Sequence, residues 1–425
     1  MTARPSRLAW LAAVVVAAAV LTGTARGRSE PFLAAVPLLV AFFIARRPDA
    51  TTVEAAEVVL SAGATPEGSP LAATYGATVA DAPGTVEIRP VLPALLGVAG
   101  ARHALREPDM GGHVAWTRTA RGEAVGTMEL GVFFLRLRDR LGFWVAELRV
   151  ETSCRAVVLA RARPARTLPE PRRAGAPFGM HPSRRVGGGT DFADIAAFGA
   201  GDRLRRINWP VSLRRGDLYV NRAYDERSAD VLLLLDTFAS VGRRPRSSFD
   251  LCLRAAADLA AGYLRQHDRV GLMEFGGWLR WTRPGSGPAQ LAAILHALSR
   301  AVISRAEFVQ DLTRLPETML SRRTLIVALS PLADPRFGDM LGRLSRHGFD
   351  VTLLALRADE VTAPPPRSER GRLARRLWLL ERESALRGLR RHGVRTTNWS
   401  PREPLEVAAA RLRLPEYEGE TRWFA

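Results

Sequence analysis

Six residues constrain the fold most: Val231-Leu-Leu-Leu-Leu-Asp236, a continuous apolar run closed by a carboxylate. A run that is apolar on both faces has to be buried on both, as in a strand of a parallel sheet covered by helices. Asp236 then stands at the carboxyl end of that strand, and open α/β sheets bind their ligands in the crevice at those ends. Downstream, helical and strand periods alternate. Helices are expected over about 248–266, 288–304, 335–347, 368–391 and 403–412, and strands over 269–275, 324–330, 350–356 and 394–398. This alternation predicts an α/β fold with a doubly wound parallel sheet over 231–425. Trp278 to Trp281 reads as a short antiparallel edge strand. In the 368–391 helix, Leu373, Leu377 and Leu380 share a face and are expected in the core, with the arginines outside.

The chain opens on two apolar runs. Residues 8–24 carry no charge, and Pro31 to Ala45 carries only apolar side chains before Arg46-Arg47. Together they predict a two-helix transmembrane hairpin over 1–48. Arg4 and Arg7 ahead of the first run and Arg46 and Arg47 after the second favour a multi-pass protein of the cell membrane, with the bulk of the chain cytoplasmic. A cleaved signal peptide would need a small-residue cleavage site, and none stands out before the second run. Over 49–165 short alternating stretches such as Thr85-Val-Glu-Ile-Arg89 are broken by Gly, Pro and Asp, the pattern of a small β-sandwich. The Arg- and Pro-rich residues 161–185 read as an exposed linker, and 166–230 as linker plus a Gly- and Arg-rich motif.

Charge narrows the partners. Basic residues number 61 against 43 acidic, for a net charge of +18, and the chain contains no lysine. Such a surface attracts phosphates, anionic lipids or an acidic protein. Nucleic acid is not expected, because base stacking needs aromatic side chains and these make up 7% of the chain. Cys154 and Cys252 form neither a disulfide framework nor a zinc spacing. No nucleophile–base pair or cofactor loop is found, and Gly187 to Gly189 lacks the Lys-Ser/Thr pair of a phosphate loop. The expectation is a non-enzyme without a cofactor. Asp191, Asp194, Asp202 and Asp217 lie among Arg203, Arg205, Arg206, Arg214 and Arg215, and read as an ion-paired connector packed on the sheet domain by Phe192, Ile207 and Trp209. His267, His296, His347 and His392 fall late in expected helices, where imidazole suits the C-terminus.

The motif Gly-Gly-Thr-Asp191-Phe192, Gly201-Asp202, Arg206-Ile-Asn-Trp209, Arg214 and Gly216-Asp-Leu-Tyr-Val220, set between a β domain and a strand ending in Asp, resembles domain of unknown function 58. The resemblance runs over nearly the whole chain. It departs from the family pattern at Ala196 and Phe198, where an arginine and a tyrosine are usual, and at Asn208, where an aspartate is usual. That family is similar to von Willebrand factor A domains and tends to be associated with MoxR-type AAA+ ATPases. The resemblance therefore implies a membrane-anchored scaffold with a von Willebrand A-like domain, working with a MoxR-type ATPase in assembly or maturation of envelope proteins. It also implies a magnesium site of the Asp-x-Ser-x-Ser type. Here that loop reads Asp236-Thr-Phe238-Ala-Ser240, Pro331 follows Ser330 where a second aspartate is expected, and Ser286 alone is near the threonine position. Magnesium demands near-octahedral oxygen ligation, so the degenerate pair Asp236 and Ser240 is expected to hold no metal, with Asp236 pairing instead with Arg243, Arg244 or Arg246. The expected partner-binding surface is Asp236, Ser240, Arg243 and Arg244 with Asp202, Arg206, Trp209 and Arg214. The alternative is a metal-dependent ligand-binding or adhesion domain.

Overall fold

The computed structural model describes residues 3–45, 47–48, 52–80, 84–98, 101–171, 186–199, 204–224, 230–304, 312–314, 321–322, 324–361 and 368–412. The chain divides into two compact units, residues 1–159 and 160–425.

In the first unit, helix α1 (Arg7–Arg26) starts at Ser6, whose hydroxyl accepts from the amides of Leu8 and Ala9. It ends at Gly27, which takes the left-handed conformation that a side chain would resist. Helix α2 (Glu30–Ile44) folds back on it, and Phe32 lies so close to Gly23 that a Cβ there would stand 2.5 Å from the ring. Trp10, Leu11, Val14, Leu21, Leu33 and Phe43 point away from the protein. With 20 residues, about 30 Å, α1 is long and apolar enough to cross a membrane. Helix α2, at 15 residues, is a shorter apolar helix. The foot of the hairpin docks on the β domain: Ala9 and Ala12 pack with Phe143 and Trp144, Phe42 lies 5.5 Å from Trp144, and Arg47 stacks over the Trp144 ring at 4.1 Å.

Two antiparallel sheets build that domain. Val132–Arg138 is bonded on one side to Trp144–Glu151 and on the other to Thr85–Pro90 in a five-stranded sheet. Pro70–Val79 and His113–Gly122 form the centre of a four-stranded one. Alternate residues of each turn inward, so Tyr75, Ala77 and Val79 share one core with Phe133, Leu135 and Leu137, and the Tyr75 ring meets Phe133 edge-on at 5.4 Å. A three-stranded sheet adds Met128, Ala156 and Val158.

The second unit begins with an antiparallel pair, β1 (Val186–Ala197) and β2 (Tyr219–Tyr224), enclosing the short helix α3 (Trp209–Arg215). Then follow β3 (Asp230–Asp236), α4 (Ser248–Arg265), β4 (Arg269–Phe275), β5 (Leu279–Gly285), α5 (Gly287–Arg300), β6 (Leu325–Ser330), α6 (Pro335–Arg346), β7 (Asp350–Leu356), α7 (Glu369–Arg391), β8 (Arg395–Trp399) and α8 (Leu405–Arg411). Six strands make one sheet in the order β5-β4-β3-β6-β7-β8, parallel except for β5. Leu232 and Leu234 of β3 face a core closed by Phe337, Leu341 and Leu344 of α6 and Leu386 and Leu389 of α7. Val231, Leu233 and Leu235 are as deeply buried on the other face, which α4 covers. The chain runs from β3 outward to β5, then crosses back to place β6 on the opposite side of β3. The strand order thus reverses between β3 and β6.

Two expectations fail. Leu373, Leu377 and Leu380 are 68, 58 and 57% exposed instead of lying in the core, because α7 is buried only through Arg382, Leu386 and Leu389 in its second half. Nor is the start of the linker exposed throughout. Ala165, Leu168 and Pro169 are buried along α4, where the Arg163 amide donates to Asp258 Oδ1 at 2.6 Å and the Tyr263 hydroxyl donates to the Pro169 carbonyl at 2.6 Å. A Cβ on Gly262 would stand 2.6 Å from the Ala165 carbonyl oxygen, so only glycine lets the strap lie this close. The rest of the linker, 172–185, lies outside the described residues. Tyr263→Phe, which leaves that carbonyl without its buried donor, is expected to lower stability by about 1 kcal/mol. Gly262→Ala should cost more, both read from denaturant midpoints of the detergent-solubilised full-length protein.

Candidate functional site

Asp236 closes β3 at the point where the strand order reverses, and it is 2% exposed. Its Oδ1 accepts from the Phe238 amide at 2.9 Å, and its Oδ2 accepts from the Ser330 hydroxyl at 2.5 Å. Ser330 is the last residue of β6, and its oxygen in turn accepts from the Leu332 amide at 2.8 Å. One carboxylate therefore bridges β3 to β6 across the crevice where an open α/β sheet would seat a ligand. Phe238 is buried beside it, edge-on to Phe275 at 5.3 Å, and the Arg336 guanidinium lies over its outer face at 4.6 Å. Arg336 is held by Asp334, the N-cap of α6, at 2.7 Å.

The arginines of the following loop do not pair with Asp236. Arg244 reaches Asp250 at 2.8 Å, and Asp250 completes a capping box with Ser247 at the start of α4. Its fully buried carboxylate takes the Ser247 hydroxyl at 2.6 Å as well. Asp236 was left to Ser330, a residue that the sequence offered only as the neighbour of Pro331. A hydroxyl ending an otherwise apolar buried strand needs a partner, and that requirement was the available signal. Asp334-Pro335, a cap followed by a first-turn proline, was the signal for the Asp334–Arg336 pair.

A divalent cation does not fit these residues. Both Asp236 oxygens are engaged, Phe238 fills the position of the middle serine, and the Arg336 guanidinium stands close enough to act on the Asp236 charge. Ser286 lies elsewhere: Gly285 pairs with Val270 near the start of β4, whereas Asp236 pairs with Phe275 at its end, roughly 16 Å along the strand. Among the described residues no group of three or more His, Cys, Asp or Glu side chains could hold a metal ion. Cys252, buried near Asp236, has its thiol pushed up by burial and then by that carboxylate, which keeps it un-ionised and unreactive.

The other expected partner-binding residues divide. Ser240, Arg243 and Arg244 are exposed on the loop after β3. Asp236 is not, and it acts by fixing that loop. Asp202 lies outside the described residues, as does the side chain of Arg206. Arg214 is exposed on α3, and Trp209 is 59% exposed instead of packing the connector down. What holds α3 is polar. Asn208 Oδ1 caps it through the Val211 amide at 3.2 Å while Asn208 Nδ2 donates to Asn221 Oδ1 at 2.8 Å. Ser212 Oγ donates to the Asn208 carbonyl and accepts the Tyr219 amide at 2.9 Å. Leu204, Trp209, Leu213 and Leu218 therefore stay outside, with Leu213 82% exposed. Of the histidines, His347 and His392 are the C-caps of α6 and α7, His267 follows the C-cap of α4, and His296 sits inside α5.

Residues 194–364 match the family model described as protein of unknown function DUF58. Over this stretch the chain is similar to the DUF58 family. The matched segment runs from within β1 past the end of β7, and so contains α3, Asp236 and Ser330, but neither the hairpin, the β domain nor α7. No curated protein matches the chain.

Burial pushes the Asp236 carboxyl up to about 7, against the pull of the Ser330 and Phe238 hydrogen bonds; Asp334 nearby raises it a little further and Arg336 lowers it. A carboxyl that titrates near 7 in the fold, against an ordinary 3.8, binds its proton more tightly when folded. Its contribution to stability is complete below about pH 4 and is lost as pH rises through about 7. Asp236→Asn is expected to flatten that part of the stability profile. Ser330→Ala removes a donor to the charged form, so it should move the titration higher and lower stability at about pH 8 by about 1–3 kcal/mol, measured as urea midpoints across the pH range.

Proposed function

We propose that the chain is a membrane-anchored, non-enzymatic scaffold that docks a protein partner through its DUF58 segment. The observation that carries this is the apolar surface of α3 and its flanks. Leu204, Trp209, Leu213 and Leu218 face solvent although Asn208 and Ser212 lock their backbone, and Arg205, Arg214 and Arg215 surround them. Aromatic and arginine side chains on a pre-ordered backbone are what interface hot spots are made of. The surplus of guanidinium favours an acidic rim on the partner.

The six-stranded order with one antiparallel edge strand, and the Asp236 to Ser240 loop at the point of reversal, support a von Willebrand A-like domain whose metal loop has been closed by Ser330 and Phe238. Helix α1, with apolar side chains turned outward along its length, supports anchoring in the membrane with α2 as the second arm of the hairpin. A MoxR-type AAA+ ATPase is the partner that the family resemblance implies, in assembly or maturation of envelope proteins.

The test is affinity purification of the full-length protein from native membranes, comparing wild type with Leu213→Glu and with Trp209→Ala. Both side chains are exposed, so neither change should disturb folding. An AAA+ ATPase recovered with wild type and reduced at least about tenfold by Leu213→Glu is the expected result. Equal recovery with all three proteins would move the interface off α3, and recovery of no ATPase would remove the proposed partner.

A further inference from the structure

The first unit contains a groove of about 1,120 Å³ at the foot of α1 that takes no part in the docking proposed above. Its floor is the outward face of Val132–Arg138 and Trp144–Glu151, and one wall is the segment leading into α1. Five guanidiniums line it, from Arg4, Arg7, Arg136, Arg138 and Arg149, against the single carboxylate of Glu147. That carboxylate is already bound by Arg89 at 2.8 Å. Arg136 and Arg149 have acidic neighbours of their own, Glu87 at 3.7 Å and Glu151 at 2.7 Å. Among the described residues Arg4, Arg7 and Arg138 have none, so the groove holds three cations without counter-charge.

Their position is fixed by backbone. Arg4 pairs with Val145 and Pro5 with Trp144, the Ser6 amide donates to the Phe143 carbonyl at 2.7 Å, and the Ser6 hydroxyl donates to the Gly142 carbonyl at 2.6 Å. These bonds hold the first turn of α1 against the sheet that carries Arg136 and Arg138. Arg7 then lies one turn, about 5 Å, before the outward-facing Trp10. If α1 enters the hydrocarbon, as the membrane-anchored reading requires, Trp10 marks the interface and the groove opens at the level of the lipid phosphates.

We infer that this groove binds the phosphate headgroup of an anionic glycerophospholipid. The inference rests on the membrane-anchored reading, and three observations favour a lipid over a soluble anion or an acidic protein. The cavity is large enough for a glycerophosphate but is bounded by a helix with an apolar outer surface, where acyl chains would run. Guanidinium binds phosphate oxygens in pairs, which suits a site with no lysine. An unpaired cluster beside an apolar helix is the arrangement with which basic pockets retain anionic headgroups.

The test uses native mass spectrometry of the full-length protein in detergent, titrated with phosphatidylglycerol or phosphatidylcholine. Wild type is compared with Arg4→Gln/Arg138→Gln and with a charge-matched control, Arg106→Gln/Arg121→Gln, away from the groove. Wild type and control should retain phosphatidylglycerol about tenfold better than phosphatidylcholine, and the groove variant should lose that preference. Equal retention by all three proteins, or no preference of wild type for the anionic lipid, would overturn the site. Displacement by millimolar inorganic phosphate would assign it to a free anion, and displacement by an acidic peptide but not by lipid would assign it to a protein, each overturning the lipid. Carbonate extraction of cell membranes runs alongside: release of wild type into the soluble fraction would overturn the anchoring itself, whatever the lipid titration shows.

Discussion

The hydrogen bond from Ser330 to Asp236 is the constraint on which the second unit turns. It joins the ends of two neighbouring strands at the place where the chain changes direction across the sheet. A crevice left open there would expose the ends of β3 and β6 and the loops that leave them. Closing it with a carboxylate and a hydroxyl keeps β3, β6 and the Phe238 loop in one arrangement. The carboxylate is costly to bury, and it keeps two donors to offset that cost. The site has the placement of a ligand-binding centre and the chemistry of a latch.

Much of this fold was legible because parallel strands buried on both faces leave a one-dimensional trace. The runs at 231–236, 269–275 and 350–356 read as interior strands, and they are. The limits of the sequence were all matters of what lies opposite. Leu373, Leu377 and Leu380 have helical spacing, but spacing says only that they share a face, and that face is left exposed. Trp209 is expected to pack the connector down, whereas the polar contacts of Asn208 and Ser212 hold α3 without it. Asp236 was given an arginine partner by proximity along the chain, while its true partner lies 94 residues away on the adjacent strand.

The surplus of arginine also resolves into distinct uses. Some guanidiniums are structural, such as Arg382, which is buried and donates to the Ala355 and Leu356 carbonyls at the end of β7. Others form local pairs, such as Arg336 with Asp334 and Arg411 with Glu403. A third set, Arg4, Arg7 and Arg138 at the foot of α1, stays outside without an acidic partner among the described residues, and it is this set that gives net charge a location.

The docking of the helical hairpin on the β domain has a mechanical consequence. Both ends of the hairpin meet the same aromatic pair: Ala9 and Ala12 from one arm, Phe42 and Arg47 from the other, all against Phe143 and Trp144. A hinge would need a stretch of chain free to rotate, and here the strand pairing of Arg4 and Pro5 continues directly into the first helix through Ser6. Torque applied to the β domain therefore passes into the helices as tilt, and the domain turns only when its helices turn with it.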